Sequence, residues 1–393
     1  MIEKFGRKNF LASLITSALI AFLHKNDSLA GDMDTAGSSI PRKKIGNTGI
    51  SVPILQLGTS QILNTVYDKV LHLCFREGAA AYDTALNYGS GASHAAIANF
   101  LKQIGDRKKV WITSKSGSGS ADGIIKGADR CLREMKTDYL DLYLMHGISD
   151  RSMLRKEFLA AGEKVKNSGK ARLFGFSAHS NCAEVMSEAA KAGGIDVILF
   201  TYNFRLFGDK ELQKAMDACR NRGISLFAMK TWGSVPEDAE AVIRFRSKNF
   251  TLGQAKLKAV WADERIDSIV SEMTNTTEAG ENIAAARSGA PLGAGELHQL
   301  NRLAALTAHA YCTGCSGICG SAMLGSAGVS DILRYLMYHD SYGKKDHARM
   351  LYRELPAEAR RISVKDAARA GKACPQGIDV AAMIARAKKE LGS

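Results

Sequence analysis

Eight short β-rich runs recur between residues 51 and 273, and they constrain the fold more than any other feature of the sequence. They alternate with amphipathic helical stretches, which predicts a parallel sheet wrapped by helices. The runs are 51–58, 78–85, 109–116, 138–147, 171–178, 196–203, 224–231 and 266–273. This number of repeats predicts an α/β fold of the (β/α)8 TIM-barrel type, in which active-site residues lie at the carboxyl ends of the strands.

Titratable residues stand at three of these predicted strand ends. Asp83 and Tyr88 follow the second run, Lys115 lies in the third and His146 in the fourth. A tyrosine that acts near neutral pH needs a neighbouring cation, and a buried cation needs a carboxylate. Each residue alone is an ordinary strand-end polar group, but together they predict a proton-transfer site in which His146 orients a carbonyl substrate.

Several segments resemble the aldo-keto reductase family in order and spacing. They are AYDTALNYGSG, WITSKSG, DYLDLYLMHG, GFSAHS and TYNF, and the resemblance covers most of residues 42–290. It implies a catalytic tetrad of Asp83, Tyr88, Lys115 and His146, with Tyr88 as the general acid when hydride reduces a carbonyl.

The resemblance also implies a nicotinamide site for NADP(H) or NAD(H). Ser177 matches the position that holds the nicotinamide carboxamide, and Lys230 is placed to reach a phosphate. Glu281 and Asn282 match the adenine-side positions.

Three departures weaken the predicted nicotinamide site. Leu199 stands where the family often has Gln, and Met229 where it often stacks a Tyr. Glu272 replaces a Gly, and residues 271–282 contain no Lys or Arg to meet a phosphate. Because a carboxylate repels a phosphate, tight NADPH binding is not expected from this loop alone.

Cysteines form a second motif, C-x2-C-x3-C at Cys312, Cys315 and Cys319, with Cys374 followed by Pro375. Thiolates bind zinc or iron-sulfur clusters. The Cys-Pro pair favours a ferredoxin-type cluster, in which the fourth cysteine of one run ligates the cluster of the other run. The remaining cysteines are scattered singly, which indicates small buried hydrophobes and no disulfide framework.

Residues 300–393 resemble the ferredoxin-like module carried by one branch of the aldo-keto reductases. Under the ligand swap, Cys312, Cys315, Cys319 and Cys374 complete one [4Fe-4S] site. The positions of the other site are occupied by Val364, Ala367, Ala370 and Met323. The sequence therefore predicts one retained cluster and one lost cluster, with the apolar replacements in a packed interior.

The N-terminus has the sequence features of an export signal. A positive start precedes an apolar run at 10–23 and small residues near 28–30, typical of a signal peptide, and GRKNFLA resembles a twin-arginine motif with Lys8 in place of the second arginine. We expect a signal peptide at 1–30, a linker at 31–42, the barrel at 43–295 and a mainly helical iron-sulfur module at 296–393. The expected location is the periplasm, with a membrane-tethered, uncleaved N-terminus as the alternative.

The net charge of +13 lacks the basic and aromatic clusters of a nucleic-acid surface, and no later segment is long enough to cross a bilayer. The sequence thus predicts an exported aldo-keto reductase-like oxidoreductase that acts on a small carbonyl or alcohol and exchanges electrons through its cluster with an external redox partner. Two alternatives stay open: a non-catalytic barrel scaffold with a structural or relay cluster, and a conventional NADPH-dependent carbonyl reductase.

Overall fold

The structure is a computed structural model that describes residues 39–61, 63–117, 119–323 and 328–392. The expected signal peptide and residues 31–38 of the expected linker lie outside these ranges. The strands are β1 (Arg42–Lys44), β2 (Ser51–Pro53), β3 (Leu55–Gly58), β4 (Ala81–Asp83), β5 (Trp111–Ser116), β6 (Leu140–Met145), β7 (Ala171–Ala178), β8 (Val197–Thr201), β9 (Ser225–Met229) and β10 (Ile266–Glu272). Strands β3 to β10 form a closed parallel barrel in chain order, which confirms the predicted fold.

The first β-rich run is divided between two structures. Its first half, β2, pairs antiparallel with β1, and only β3 enters the barrel. The break falls at Ile54, whose amide donates to the carbonyl oxygen of Pro41 at 2.9 Å. The hairpin buries Ile45 and Val52 completely against residues inside the barrel, so it closes one end.

Alternating side chains in the strands build two apolar layers. In β8, Val197 and Leu199 pack inside the barrel, while Ile198 and Phe200 pack outward under the helices. This alternation follows from the two-residue period of a strand. Because both faces are buried, the barrel strands are continuous apolar runs rather than alternating ones.

Helices follow the barrel strands and cover the outer layer. They are α1 (Lys69–Arg76), α2 (Ala92–Ile104), α3 (Ala121–Met135), α4 (Lys156–Asn167), α5 (Cys182–Ala192), α6 (Lys210–Asn221), α7 (Glu237–Glu240), α8 (Leu252–Trp261) and α9 (Thr276–Arg287). Side-chain caps fix some of their starts: Asp68 caps α1 and Ser120 caps α3. At α8, Thr251 and Gln254 form a reciprocal capping box.

A helical region follows the barrel. It contains α10 (Ala294–Leu306), α11 (Ser316–Ala322), α12 (Val329–Ser341), α13 (Lys345–Glu354), α14 (Ala357–Arg360), α15 (Val364–Ala373) and α16 (Val380–Leu391). Helix α10 packs Leu300 and Leu303 with Phe204 and Phe250 of the barrel loops, whereas the later helices share a core of their own. None of the helices in the described ranges has the length and apolar character needed to span a membrane.

Candidate active site

A buried ion pair anchors the site. Asp83 ends β4, and Lys115 lies near the end of the neighbouring strand β5. Lys115 Nζ donates to Asp83 Oδ1 at 2.6 Å and to the carbonyl oxygen of Thr84 at 2.8 Å. Their side chains are 1% and 4% exposed, so the two charges compensate each other without help from water.

Tyr88 and His146 complete the predicted tetrad at the same rim of the barrel. Lys115 Nζ lies 4.9 Å from the centroid of the Tyr88 ring, over its face. The Tyr88 and His146 rings meet edge to face with centroids 5.8 Å apart. The His146 amide donates to the carbonyl oxygen of Ser116 at 3.0 Å, which holds its backbone at the end of β5. The structure therefore brings all four predicted residues together.

The protonation of Tyr88 differs from the sequence-based expectation. Burial, followed by the charge of Asp83, raises the pKa of Tyr88 well above its ordinary value. The reason is geometric: Lys115 faces the Tyr88 ring and gives its hydrogen bonds to Asp83 and Thr84. Tyr88 is therefore a retained phenol, a state suited to donating a proton.

His146 is held neutral. Burial lowers the pKa of His146 to about 3, and the positive charges of Lys115, Arg334 and Lys230 add to this effect. Burial also raises the pKa of Asp83 and lowers that of Lys115, with each partner opposing the shift of the other. A neutral imidazole keeps one donor and one acceptor nitrogen for a substrate oxygen.

A cavity of about 1120 Å³ opens above these residues. Tyr88, His146 and Asp83 line its inner end, and Met229 and Lys230 line its wall. Its volume exceeds that of a typical small-molecule site, about 300–1,000 Å³, so it has room for more than a small substrate.

Two of the four residues predicted for a nicotinamide line this cavity, and the other two are buried and are not part of its lining. Lys230 and Glu281 line it, and Glu281 is exposed. Asn282 is buried and donates from Nδ2 to Ser271 Oγ at 3.0 Å. Ser177 is also buried, and its Oγ accepts from the Gly147 amide at 3.0 Å, which leaves its hydroxyl hydrogen free to be directed elsewhere.

The structure shows the surroundings of two residues that depart from the family pattern, Leu199 and Glu272. Leu199 is buried inside the barrel. Glu272 forms an ion pair with Lys344, a residue of the helical region that also lines the cavity. Residues 271–282 contain no Lys or Arg, and the cation that pairs with Glu272 comes from a segment about 70 positions later in the chain.

Sequence reasoning missed the contribution of α12 to the site. Asp331, Arg334, Tyr335 and Tyr338 of this helix line the same cavity as Tyr88 and His146. These positions are spaced three, four and seven apart, so they share one helical face. That polar stripe was visible in SDILRYLMYHDSYG and indicates a helix face turned toward a polar partner.

The four predicted metal-ligating cysteines lie in one neighbourhood. Burial raises the pKa of Cys312 to about 12, and Cys315, Cys319 and Cys374 each raise it further. In the part of the chain that the structure describes, no three His, Cys, Asp or Glu side chains converge as ligands of a single metal ion. Four thiols are the donor type that iron-sulfur clusters use, and the role of these cysteines as cluster ligands stays a prediction.

The cysteine loop is docked on the barrel. The Asn181 amide, just after β7, donates to the Gly314 carbonyl oxygen at 2.9 Å, and Asn181 Oδ1 accepts from the Gly317 amide at 2.9 Å. Gly314 has φ +82°, and a Cβ there would lie 2.7 Å from the His179 carbonyl oxygen. Only glycine allows this close approach, which sets the loop beside the barrel mouth.

The positions of the lost cluster are only partly in a packed interior. Met323, Ala367 and Ala370 are buried in the core of the helical region. Val364, by contrast, is 81% exposed, so the expectation of an interior position is wrong for this residue. It stands at the first position of α15, where the helix face turns to solvent.

An eight-stranded α/β barrel with tyrosine, lysine, aspartate and histidine at its mouth defines a class of oxidoreductases that act on carbonyls and alcohols. The model of the aldo/keto reductase family matches residues 55–286. The chain belongs to this family.

Its relatives and structural neighbours agree. The chain is 28% identical over 209 residues to aldo-keto reductase yakc (NADP(+)) of Schizosaccharomyces pombe, covering 48% of this chain and 60% of that protein. It is 24% identical over 284 residues to L-galactose dehydrogenase of Arabidopsis thaliana, covering 63% and 88%. Aldo-keto reductase AKR11C1 from Bacillus halodurans (holo form) superposes with a TM-score of 0.58 at 21% identity, covering 67% of this chain and 96% of that one, which shows the shared fold.

Proposed function

We propose that this protein interconverts a small carbonyl compound and its alcohol, with Tyr88 as general acid and base. The observation that carries the proposal is the grouping of Tyr88 and His146 at the inner end of a large cavity, above the buried pair of Asp83 and Lys115. A non-catalytic scaffold has no use for a lysine that is 1% exposed, since burying a charge is costly.

Each residue of the tetrad has a separate task in this proposal. Tyr88 keeps its proton because burial raises its pKa, and it gives that proton to the carbonyl oxygen during reduction. Neutral His146 donates a hydrogen bond to the same oxygen and fixes its direction. Lys115, held by Asp83, places a positive charge beside the Tyr88 ring and stabilises the phenolate that forms after proton transfer.

The hydride source in this proposal is NADP(H). A reduced nicotinamide supplies hydride to the carbonyl carbon when it is bound. Ser177, Lys230, Glu281 and Asn282 are the residues proposed to hold it, and the yakc relative carries NADP(+) in its name. The pairing of Lys344 with Glu272 removes part of the repulsion that the β10 loop would exert on a phosphate.

We also propose that Cys312, Cys315, Cys319 and Cys374 hold one [4Fe-4S] cluster. Such a cluster supplies one-electron transfer when bound. The shared neighbourhood of the four thiols and the docking of their loop beside the barrel support this proposal. A partner that exchanges electrons with the cluster from outside, and export to the periplasm by the expected signal peptide, belong to the same proposal.

Two measurements on full-length protein purified without oxygen test these proposals. Iron analysis should give about four irons per chain. The iron content should fall in Cys374→Ser and stay unchanged in the control Cys182→Ser. About eight irons, or zinc alone, would contradict a single cluster.

Titration with NADPH should show binding and carbonyl-dependent oxidation of NADPH. Tyr88→Phe should lower the turnover rate about 10²- to 10⁴-fold while NADPH still binds. Protein that binds no nicotinamide and oxidises no alcohol with an artificial dye would be a scaffold.

A further inference from the structure

Helix α12 forms one wall of the active-site cavity. Arg334 and Tyr338, one helical turn apart, line the cavity together with Tyr88 and His146. Burial raises the pKa of Tyr88 and lowers that of His146, and the positive charge of Arg334 opposes the first shift and adds to the second. The guanidinium group therefore lies beside the place where the carbonyl reacts.

Arg334 is only partly satisfied by the protein. Its side chain is 18% exposed and forms an ion pair with Asp331 at 2.8 Å, while Nη2 contacts the Tyr335 hydroxyl at 3.4 Å. Its Nε is buried and has no hydrogen-bond partner among the described residues. A buried donor without a partner is costly, so the guanidinium is incompletely satisfied, and a ligand in the cavity would meet the exposed part of this side chain.

Lys230 supplies a second cation from the opposite wall. It follows β9 with φ +57°, a left-handed conformation that is uncommon for a lysine. Asn203 Nδ2 donates to the Lys230 carbonyl oxygen at 3.0 Å and holds this turn, and Lys230 Nζ lies 4.6 Å from the centroid of the Tyr338 ring. Strained residues of this kind are concentrated at functional sites.

The carboxylates nearest to these cations are already paired. Asp83 binds Lys115 and Asp331 binds Arg334. Farther along the cavity, Glu240 pairs with Lys256, Glu272 with Lys344 and Asp340 with Arg386, and the carboxylates of Glu237, Glu278, Glu281 and Glu354 also line it. Within the described ranges, Lys230 forms no ion pair, so no carboxylate at ion-pair distance compensates its charge near Tyr88 and His146.

We propose that Arg334 forms an anion subsite that binds the carboxylate of a carbonyl or alcohol substrate, with the charge of Lys230 in the same cavity adding to the attraction. This inference rests on the proposed function and adds its substrate class: small oxo acids or hydroxy acids. A planar guanidinium matches the two oxygens of a carboxylate, and its place beside Tyr88 and His146 sets that carboxylate near the reacting carbon. A phosphate of the cofactor is the other anion that these cations can meet, and the test separates the two.

The test compares each acid with its methyl ester, which has the same carbonyl and nearly the same size. The probes are glyoxylate, succinate semialdehyde and 4-carboxybenzaldehyde with their esters. In full-length protein, Arg334→Gln should reduce the ratio of kcat/KM for the best acid to kcat/KM for its ester about 10- to 150-fold. Arg334→Lys should recover part of the loss. Arg369→Gln, which removes a half-exposed guanidinium from α15, is the matched control and should change neither.

Binding measured without turnover separates this inference from the proposed reaction. Calorimetry with 4-(hydroxymethyl)benzoate on Tyr88→Phe, with and without Arg334→Gln, should show the same Arg334-dependent preference for acid over ester. If the acid binds in this way but no aldehyde is ever reduced, the proposed function is wrong and the anion subsite stands.

Two results would overturn the subsite. One is reduction of acids and esters with the same ratio in the native protein and in Arg334→Gln, which leaves the reductase function intact. The other is a loss of NADPH affinity in Arg334→Gln with no change for the acids, which assigns Arg334 to a cofactor phosphate.

Discussion

Asp83 and Lys115 form a buried ion pair, so we expect a substitution of either residue alone to destabilise the protein more than substitution of both residues together. Lys115 Nζ and Asp83 Oδ1 are 2.6 Å apart, and the side chains are 1% and 4% exposed. The second carboxylate oxygen, Asp83 Oδ2, has no hydrogen-bond partner among the described residues. Lys115→Met leaves this carboxylate without a cation, and Asp83→Asn leaves the ammonium group without an anion.

The magnitude follows from the burial of the pair. Breaking a buried ion pair from one side costs about 3–5 kcal/mol, because an uncompensated charge stays in the interior. Replacing both partners by neutral side chains of similar volume is often nearly neutral. We therefore expect each single variant to lose about 3 kcal/mol or more, and the double variant to lose less than either single variant.

Urea unfolding at pH 7 followed by tryptophan fluorescence measures this cycle. The chain has three tryptophans, Trp111, Trp232 and Trp261, and all of them belong to the barrel, so the signal reports barrel unfolding. The exposed pair of Asp122 and Lys126 on α3 is the control, since both side chains are at least 70% exposed. The same cycle there should show no measurable coupling.

Additive losses at Asp83 and Lys115 would refute this reasoning, because they would mean that neither charge depends on the other. A double variant less stable than either single variant would refute it as well. Catalytic activity does not enter this test, since all three variants remove part of the tetrad.

Three further predictions concern packing, backbone geometry and pH. Gly314→Ala should lower the iron content and the melting temperature, because the added Cβ would lie 2.7 Å from a barrel carbonyl oxygen. Gly343→Ala is the control, since Gly343 also has a positive φ but a Cβ there would have nothing within 4 Å. Equal effects of the two substitutions would contradict the docking argument. Ala370→Leu should destabilise the protein by about 1–3 kcal/mol in thermal unfolding, whereas Val364→Leu, at an exposed position, should change stability by less than about 0.5 kcal/mol. Burial lowers the pKa of His146 to about 3 in the folded protein, whereas its pKa in the unfolded chain is near 6.5. Between these two pH values only the unfolded chain binds the proton, so the native state should lose stability as the pH falls from about 6.5 toward 3. His146→Asn should flatten this dependence of stability on pH by up to about 1.4 kcal/mol per pH unit, and an unchanged slope would refute neutral burial.

The barrel and its tetrad were predictable because both depend on local patterns. The β-rich runs are continuous apolar segments, and a parallel barrel places the carboxyl ends of all its strands at one rim. Asp83 and Lys115 therefore had to meet once their strands were assigned. The division of the run at 51–58 was not predictable in the same way, because its first half has the strand composition that a hairpin also requires.

The rest of the site depends on tertiary docking. Nothing local in the barrel sequence shows that Arg334 and Tyr338 will reach its mouth, and nothing in residues 271–282 shows that Lys344 will pair with Glu272. The protonation of Tyr88 was also beyond the sequence, since it depends on which group Lys115 faces. The arrangement of the cysteines as cluster ligands stays a prediction.

The division of labour between barrel and α12 makes this enzyme modular. The residues proposed to transfer the proton belong to β-strand ends and the loops that follow them, while one wall of the cavity belongs to a helix encoded far downstream. Substitutions on the face of α12 that carries Arg334 can therefore diversify substrate preference without disturbing the catalytic rim. A library confined to that face offers a route to new specificities on an unchanged reaction centre.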